Sequence, residues 1–188
     1  MRIVAGEFRG RPLATPSDSA IRPTADRVRQ TVFDILAHSY GDPVTGARVL
    51  DLFAGTGALG IEALSRGAAS VLFVEEGAEA RGLIRANVEA FGLTGRTRIF
   101  RRDATNLGPA GTVPPADVVF ADPPYRKGLG EKALASAVAG GWLTPEAIVV
   151  LEEAAGMPIA PVRRLNLVES RQIGDTMVHF LVAEPARP

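Results

Sequence analysis

The feature that most constrains the fold is a set of apolar runs that do not alternate. "ARVLDLF" (47–53), "SVLFVEE" (70–76), "ADVVFAD" (116–122) and "AIVVLEE" (147–153) carry unbroken apolar stretches and include or end in an acid. A strand with one wet face alternates, whereas a strand covered on both faces does not. Helical patterns follow three of these runs: "GALGIEALSRG" closed by Gly67, "GAEARGLIRANVEAFG" closed by Gly92, and "GLGEKALASAVAGGW". "TRIFRRD" (97–103) adds a strand, and 104–116 reads as loop with at most a weak helix. Strand–helix alternation at this spacing predicts a parallel sheet with right-handed crossovers. The end departs from the pattern. "VRRLNLVESRQIGDTMVHFLVAE" holds two strand-like runs around Gly174-Asp175 with no helix between them, which is an antiparallel hairpin. The predicted fold is α/β, a seven-stranded, doubly wound, mostly parallel, Rossmann-like sheet with a C-terminal antiparallel hairpin. Ahead of it, "MRIVAGEFRGRPLATP" reads as a small hairpin and 15–23 as a loop. Pro23 and Thr24 then open a helix with Val28, Val32, Ile35 and Leu36 on one face. Two units are expected: an N-terminal hairpin extension, 1–23, and a main domain, 24–188.

Length and composition narrow the function. The chain has 188 residues and no cysteine, so neither a disulfide framework nor a Cys-based zinc site is possible. Its two histidines are too few for a His-metal site. His38 falls in a last helical turn and His179 inside a strand, and both read as structural. No segment resembles a signal peptide or a membrane span, so a cytoplasmic protein is expected. Net charge is zero, yet basic residues cluster: six Arg among residues 1–30, then Arg96, Arg98, Arg101 and Arg102, then Arg126 with Lys127. Arg suits phosphate through its planar fork, and local basic patches on a neutral chain fit a nucleic-acid partner. Arg9, Arg11, Arg22, Arg126 and Lys127 are the candidate RNA contacts.

"DLFAGTGALG" (51–60) follows the first parallel strand and opens a helix, and Gly55-x-Gly57-x-x-Gly60 matches the dinucleotide fingerprint. Phe53, Ala54, Gly55 and Gly57 are therefore candidate cofactor residues. Glu75, 18 residues after Gly57, stands where an acid accepts ribose hydroxyls, in NAD and S-adenosylmethionine sites alike. Glu76 could compete for that role. Asp103 stands where an acid can meet an adenine amine. The loop alone leaves a dehydrogenase and a methyltransferase open. Asp51 favours the second, because it would repel a pyrophosphate and attract an ammonium group.

Asp122-Pro123-Pro124-Tyr125 ends the fourth strand. Ligands in open α/β sheets bind at the carboxyl ends of strands near the switch point, which puts Asp122 opposite the glycine loop. The prolines hold a rigid shape outside the ladder and leave the Pro123 carbonyl without a strand partner. A carboxylate and a carbonyl accepting the two N–H groups of a nucleobase amine would favour a pyramidal nitrogen. They would also stabilise the positive charge that builds as it takes a methyl group. Tyr125 could stack on the base. The chemistry is direct displacement at a sulfonium methyl and needs no metal.

"FAGTG" followed by "DPPY" resembles the class I amino-methyltransferases that use S-adenosylmethionine. The segments "RIVAGEFRGRPL" and "RPTADRVRQTVFDIL" are similar to the bacterial family that methylates the N2 amine of one guanine, of the position-966 type, in 16S ribosomal RNA. The similarity runs from residue 2 to about 183. It implies that Asp122, Pro123 and Tyr125 hold the guanine and Glu75 the cofactor ribose. Asp103 and Ala104 would lie at the adenine, and the helix over 24–40 would cover the cofactor's methionine end. Relatives with Phe at the place of Tyr125 imply that the ring does the stacking. The implied target is small-subunit RNA in assembled 30S particles, and the implied state is a monomer. DPPY suits any exocyclic amine, so a DNA adenine-N6 or cytosine-N4 methyltransferase stays open. No gap between predicted elements has room for the usual target-recognition insert. A protein-glutamine methyltransferase and an inert RNA-binding module are the remaining alternatives.

Overall fold

The structure, a computed structural model, describes residues 1–17 and 23–185. Its elements in chain order are α1 (Pro23–Ser39), β1 (Arg48–Leu52), α2 (Ala58–Ser65), β2 (Ser70–Val74), α3 (Ala78–Ala90), β3 (Thr97–Phe100), β4 (Ala116–Ala121), α4 (Leu129–Ala139), β5 (Leu143–Ala154), β6 (Leu165–Ile173) and β7 (Thr176–Ala183). The sheet order is β3-β2-β1-β4-β5-β7-β6, with β7 antiparallel to both of its neighbours. The chain reverses direction across the sheet between β1 and β4, the switch point the sequence predicts.

Both faces of the sheet are covered, which is why the strands do not alternate. One face sends Val49, Phe73, Phe120, Val150 and Phe180 against α1, α2 and α3, represented by Phe33, Ile61 and Ile84. The other sends Leu50, Val74, Val119, Leu151 and Leu181 against α4 and Trp142. Among the described residues no helix is long and apolar enough to cross a membrane.

The N-terminal segment follows a hairpin path without forming strands. A single bridge joins Arg2 to Pro12, the Ile3 amide donates to the Arg11 carbonyl at 3.0 Å, and the Gly10 amide donates to the Ile3 carbonyl at 2.8 Å. Pro12 removes a donor from the ladder. The segment is held instead by α2. Glu62, fully buried, accepts from the amides of Val4 (2.8 Å) and Ala5 (3.0 Å), and Ser65 accepts from those of Glu7 and Phe8. A Cβ on Gly6 would lie 1.9 Å from the Ser65 carbonyl oxygen, so only glycine permits this approach.

Other boundaries differ from the sequence expectation. β3 stops at Phe100, short of Asp103, because the chain turns there, with the Arg102 amide donating to the Phe100 carbonyl. β5 begins at Leu143 rather than Ala147, passing Pro145 through an irregularity in its pairing with β4 and a left-handed Glu146 (φ 62°). His38 bonds the Asp34 carbonyl in its own helix, and buried His179 bonds the Ser170 hydroxyl.

Candidate active site

The carboxyl ends of β1, β4 and β5 open into a cleft of about 870 Å³. Its lining includes Asp51, Phe53, Ala54 and Gly55 from the glycine turn, Asp122 to Arg126 from the end of β4, and Glu152 from β5. α1 roofs it with Ala25, Val28 and Arg29. A second hollow of about 490 Å³ adjoins it, sharing Phe53 and Pro124, and is lined by Glu75, Glu76, Asp103 and Ala104. The two hollows form one trough across the strand ends, while another pocket of about 290 Å³ lies at the amino ends of the strands, around Arg48 and Trp142.

The glycine turn is held from both sides. Glu75, half-buried, accepts from the amides of Gly55 (2.9 Å) and Gly77 (2.7 Å). Asp51, almost fully buried, accepts from the Gly60 amide at 3.0 Å and so ties β1 to the first turn of α2. Gly57 caps α2 at φ 80°, and a Cβ on Gly60 would lie 2.4 Å from the Phe73 ring. The first permits a left-handed turn; the second permits α2 to pack flush on β2. Phe53 also takes a left-handed conformation (φ 57°), a strain of the kind that collects at ligand sites. Asp103 caps the short 3₁₀ turn Ala104–Asn106 through the Thr105 amide.

Electrostatically the cleft is acidic. Burial pushes the Asp51 carboxyl well above the usual range, the Gly60 amide pulls it back, and the charges of Asp122 and Glu75 add to the rise. Solvent reaches Asp122 through the cleft, yet protein crowds its carboxyl closely enough for burial to push it up to about 6. Contact with the Tyr125 hydroxyl opposes that rise and Glu153 adds to it. Burial, then Asp122's charge, pushes the Tyr125 hydroxyl upward, so it stays a neutral phenol. Uncompensated carboxyls of this kind suit a cationic ligand.

All the residues expected at the cofactor and the target base line the trough or, like Gly57, shape its turn. The candidate RNA contacts divide. Arg9, Arg126 and Lys127 are exposed and make no side-chain hydrogen bond or ion pair among the described residues. Arg11 is engaged internally: its guanidinium lies 4.1 Å from the Phe91 ring centre and donates to the Ala90 carbonyl at 2.6 Å. Arg22 lies outside the described residues. Sequence reasoning missed Arg29, Glu152 and Thr176 as lining residues. Glu152 had a signal, since it ends an apolar run as Asp122 does.

This fold, with its trough at the switch point, is that of the class I Rossmann-like methyltransferases. The model of a family described as conserved hypothetical protein 95 matches residues 1–182. Ribosomal RNA small subunit methyltransferase D of Escherichia coli strain K12 is 40% identical over 167 residues, covering 86% of this chain and 79% of that protein. The protein of the same name from Haemophilus influenzae is 31% identical over 176 residues, covering 93% and 89%. The solved structure of yhhF from Escherichia coli has a TM-score of 0.81 at 33% identity over 99% of each chain. The chain belongs to this family, that of ribosomal RNA small subunit methyltransferase D.

Proposed function

We propose that this protein transfers a methyl group from S-adenosylmethionine to the exocyclic N2 amine of one guanine, of the position-966 type, in 16S ribosomal RNA. Its substrate is the assembled 30S particle, and it acts as a monomer in the cytoplasm. The observation that carries the chemistry is that Asp122, Pro123 and Tyr125 share one cleft with the Gly55 turn. Family membership carries the RNA target.

The residues fit the cofactor. An acidic floor beside a glycine turn suits a ligand bearing an ammonium and a sulfonium charge, and Glu75, just beyond β2, would accept the ribose hydroxyls. S-adenosylmethionine supplies an electrophilic methyl group on sulfur. The protein holds the acceptor. Asp122 accepts one amine hydrogen and the Pro123 carbonyl the other, which localises the nitrogen lone pair toward the methyl group. Tyr125 fixes the plane of the base. As the N–C bond forms and the S–C bond breaks, positive charge builds on nitrogen beside the Asp122 carboxylate, which stabilises it. One amine proton then leaves through Asp122 to solvent.

The test is mass spectrometry of 16S ribosomal RNA from cells lacking this protein. One N2-methylguanine should disappear and should return when purified protein and labelled cofactor are added to 30S particles. Asp122→Ala should keep cofactor affinity and lose about 10²–10³-fold in turnover, as when a group aimed at developing charge is removed. A full complement of N2-methylguanine in the deletion strain would overturn this function.

A further inference from the structure

Three carboxyl groups face the cleft from neighbouring strands: Asp51 from β1, Asp122 beyond β4, and Glu152 from β5. Because Phe120 pairs with Val150, positions 122 and 152 lie level with each other, two residues further on, and share the face of Phe120 and Val150. Two of the three have partners or a role. Asp51 accepts from Gly60, and Asp122 is the acceptor for the target amine. Glu152 has neither. It is 7% exposed, lines the cleft, and makes no hydrogen bond among the described residues. Burial and then the neighbouring Asp122 push its carboxyl well above the usual range, and Arg29 opposes them. Arg29 directs its Nε and Nη2 to Glu62 (3.3 Å), Asp26 (2.8 Å) and the Arg2 carbonyl, and forms no ion pair with Glu152 among the described residues. The adjacent Glu153 is different: it accepts from the amides of Arg126 (2.8 Å) and Ala154 (2.7 Å). The acids do not converge as a metal cage would among the described residues.

A buried acid left without a donor, facing a ligand cleft, points to a donor on the ligand. We propose that Glu152 is a specificity-determining residue that accepts the ring N–H beside the target amine, and so selects guanine. This rests on the function proposed above. Adenine and cytosine also carry exocyclic amines, but their ring nitrogens beside the amine present lone pairs. Guanine alone presents a hydrogen there, at N1. With the amine fixed at Asp122, an acceptor level with it meets that hydrogen and faces a lone pair in the other two bases. The hydrogen bond from N1 favours the ionised carboxylate, a stabilisation that a lone pair at that place cannot supply. A site built to pair a buried polar group rejects an analogue that leaves it unpaired by as much as about 10⁴–10⁵-fold.

The probe is 2-aminopurine, which keeps the N2 amine but has a lone pair at N1. Small-subunit particles would be reconstituted with RNA bearing guanine or 2-aminopurine at the mapped target, and kcat/KM measured for each. The wild-type protein should prefer guanine by at least about 100-fold, and Glu152→Gln should bring the ratio within about tenfold, since a glutamine amide can turn its N–H₂ toward a lone pair. Cofactor affinity by calorimetry should be unchanged in the variant. If the wild-type protein fails to methylate guanine N2, the proposed function falls and the role of Glu152 with it. If guanine is methylated but the ratio is the same in wild type and variant, only the role of Glu152 is overturned. A weaker cofactor affinity with an unchanged ratio would likewise overturn it and assign the acid to the cofactor.

Discussion

At Asp122 catalysis and stability make opposite demands. In the proposed mechanism the carboxyl must be ionised to accept an amine hydrogen, yet burial raises it to about 6. Methyl transfer is therefore expected to rise with pH through about 6 and level off above it. The stability sign is the reverse. Between about 4 and 6 the unfolded chain has released this proton while the folded chain keeps it, so stability falls as pH rises across that window. Asp122→Asn should consequently raise the thermal midpoint at pH 7 while cutting transfer about 10²-fold or more. A thermal scan beside a single-turnover assay checks both. Tyr125 adds a finer test. Its hydroxyl opposes the upward shift at Asp122, so Tyr125→Phe should move the midpoint of the pH–rate profile upward. The plateau rate should hold, since the ring proposed to stack on the base remains. An unmoved midpoint would show that the hydroxyl does not act on Asp122.

Among the elements, α2 holds the N-terminal segment through Glu62 and Ser65. Glu62, with no exposed surface, joins the N-terminal segment, α1 and α2 by accepting from Val4, Ala5, Arg29 and Arg66. Removing it takes one carboxylate partner from each of two largely buried guanidinium groups, leaving Arg29 with Asp26 and Arg66 with Asp34, and breaking a buried pair costs up to about 3–5 kcal/mol. Glu62→Ala should lower the urea midpoint accordingly, and because Arg29 roofs the cleft it should also weaken cofactor binding. Little of this network was legible in the sequence. Its partners lie up to 58 positions apart, and an acid in "GIEALSR" reads as any exposed helical acid. The sheet was legible because burial on two faces leaves a local trace, and the residues of the trough were legible because glycines and prolines mark where strands must end. Glu152 escaped because a second acid follows it in "VVLEE". Only the register with β4 separates the one that faces the cleft from the one that faces away. The start of β5 escaped for a different reason: Pro145 argues against a strand, and the ladder passes it by an irregularity that only the pairing with β4 reveals.

Taken whole, the molecule carries no net charge, so attraction to RNA must come from where its cations stand. Arg126 and Met1 both line the cleft, which brings the N-terminal segment to the same rim as the residues that follow Asp122. Arg9, Arg126 and Lys127 are exposed there or nearby in the chain without internal partners, whereas Arg11 is stacked on Phe91 and Phe8. Each phosphate contact adds about 0.7–0.9 to the slope of log affinity against log salt, through release of condensed counterions. Replacing Arg9, Arg126 and Lys127 together by Ala should therefore weaken binding to small-subunit RNA and flatten that slope by about 2 to 3. Arg11→Ala should behave differently, lowering the thermal midpoint through lost stacking and leaving the slope unchanged. Filter binding across a salt series separates the two outcomes. If the triple variant keeps the wild-type slope, these three cations are solvated and the RNA docks elsewhere. If Arg11→Ala flattens the slope instead, the guanidinium that packs on Phe91 in the free protein must leave that ring when RNA binds.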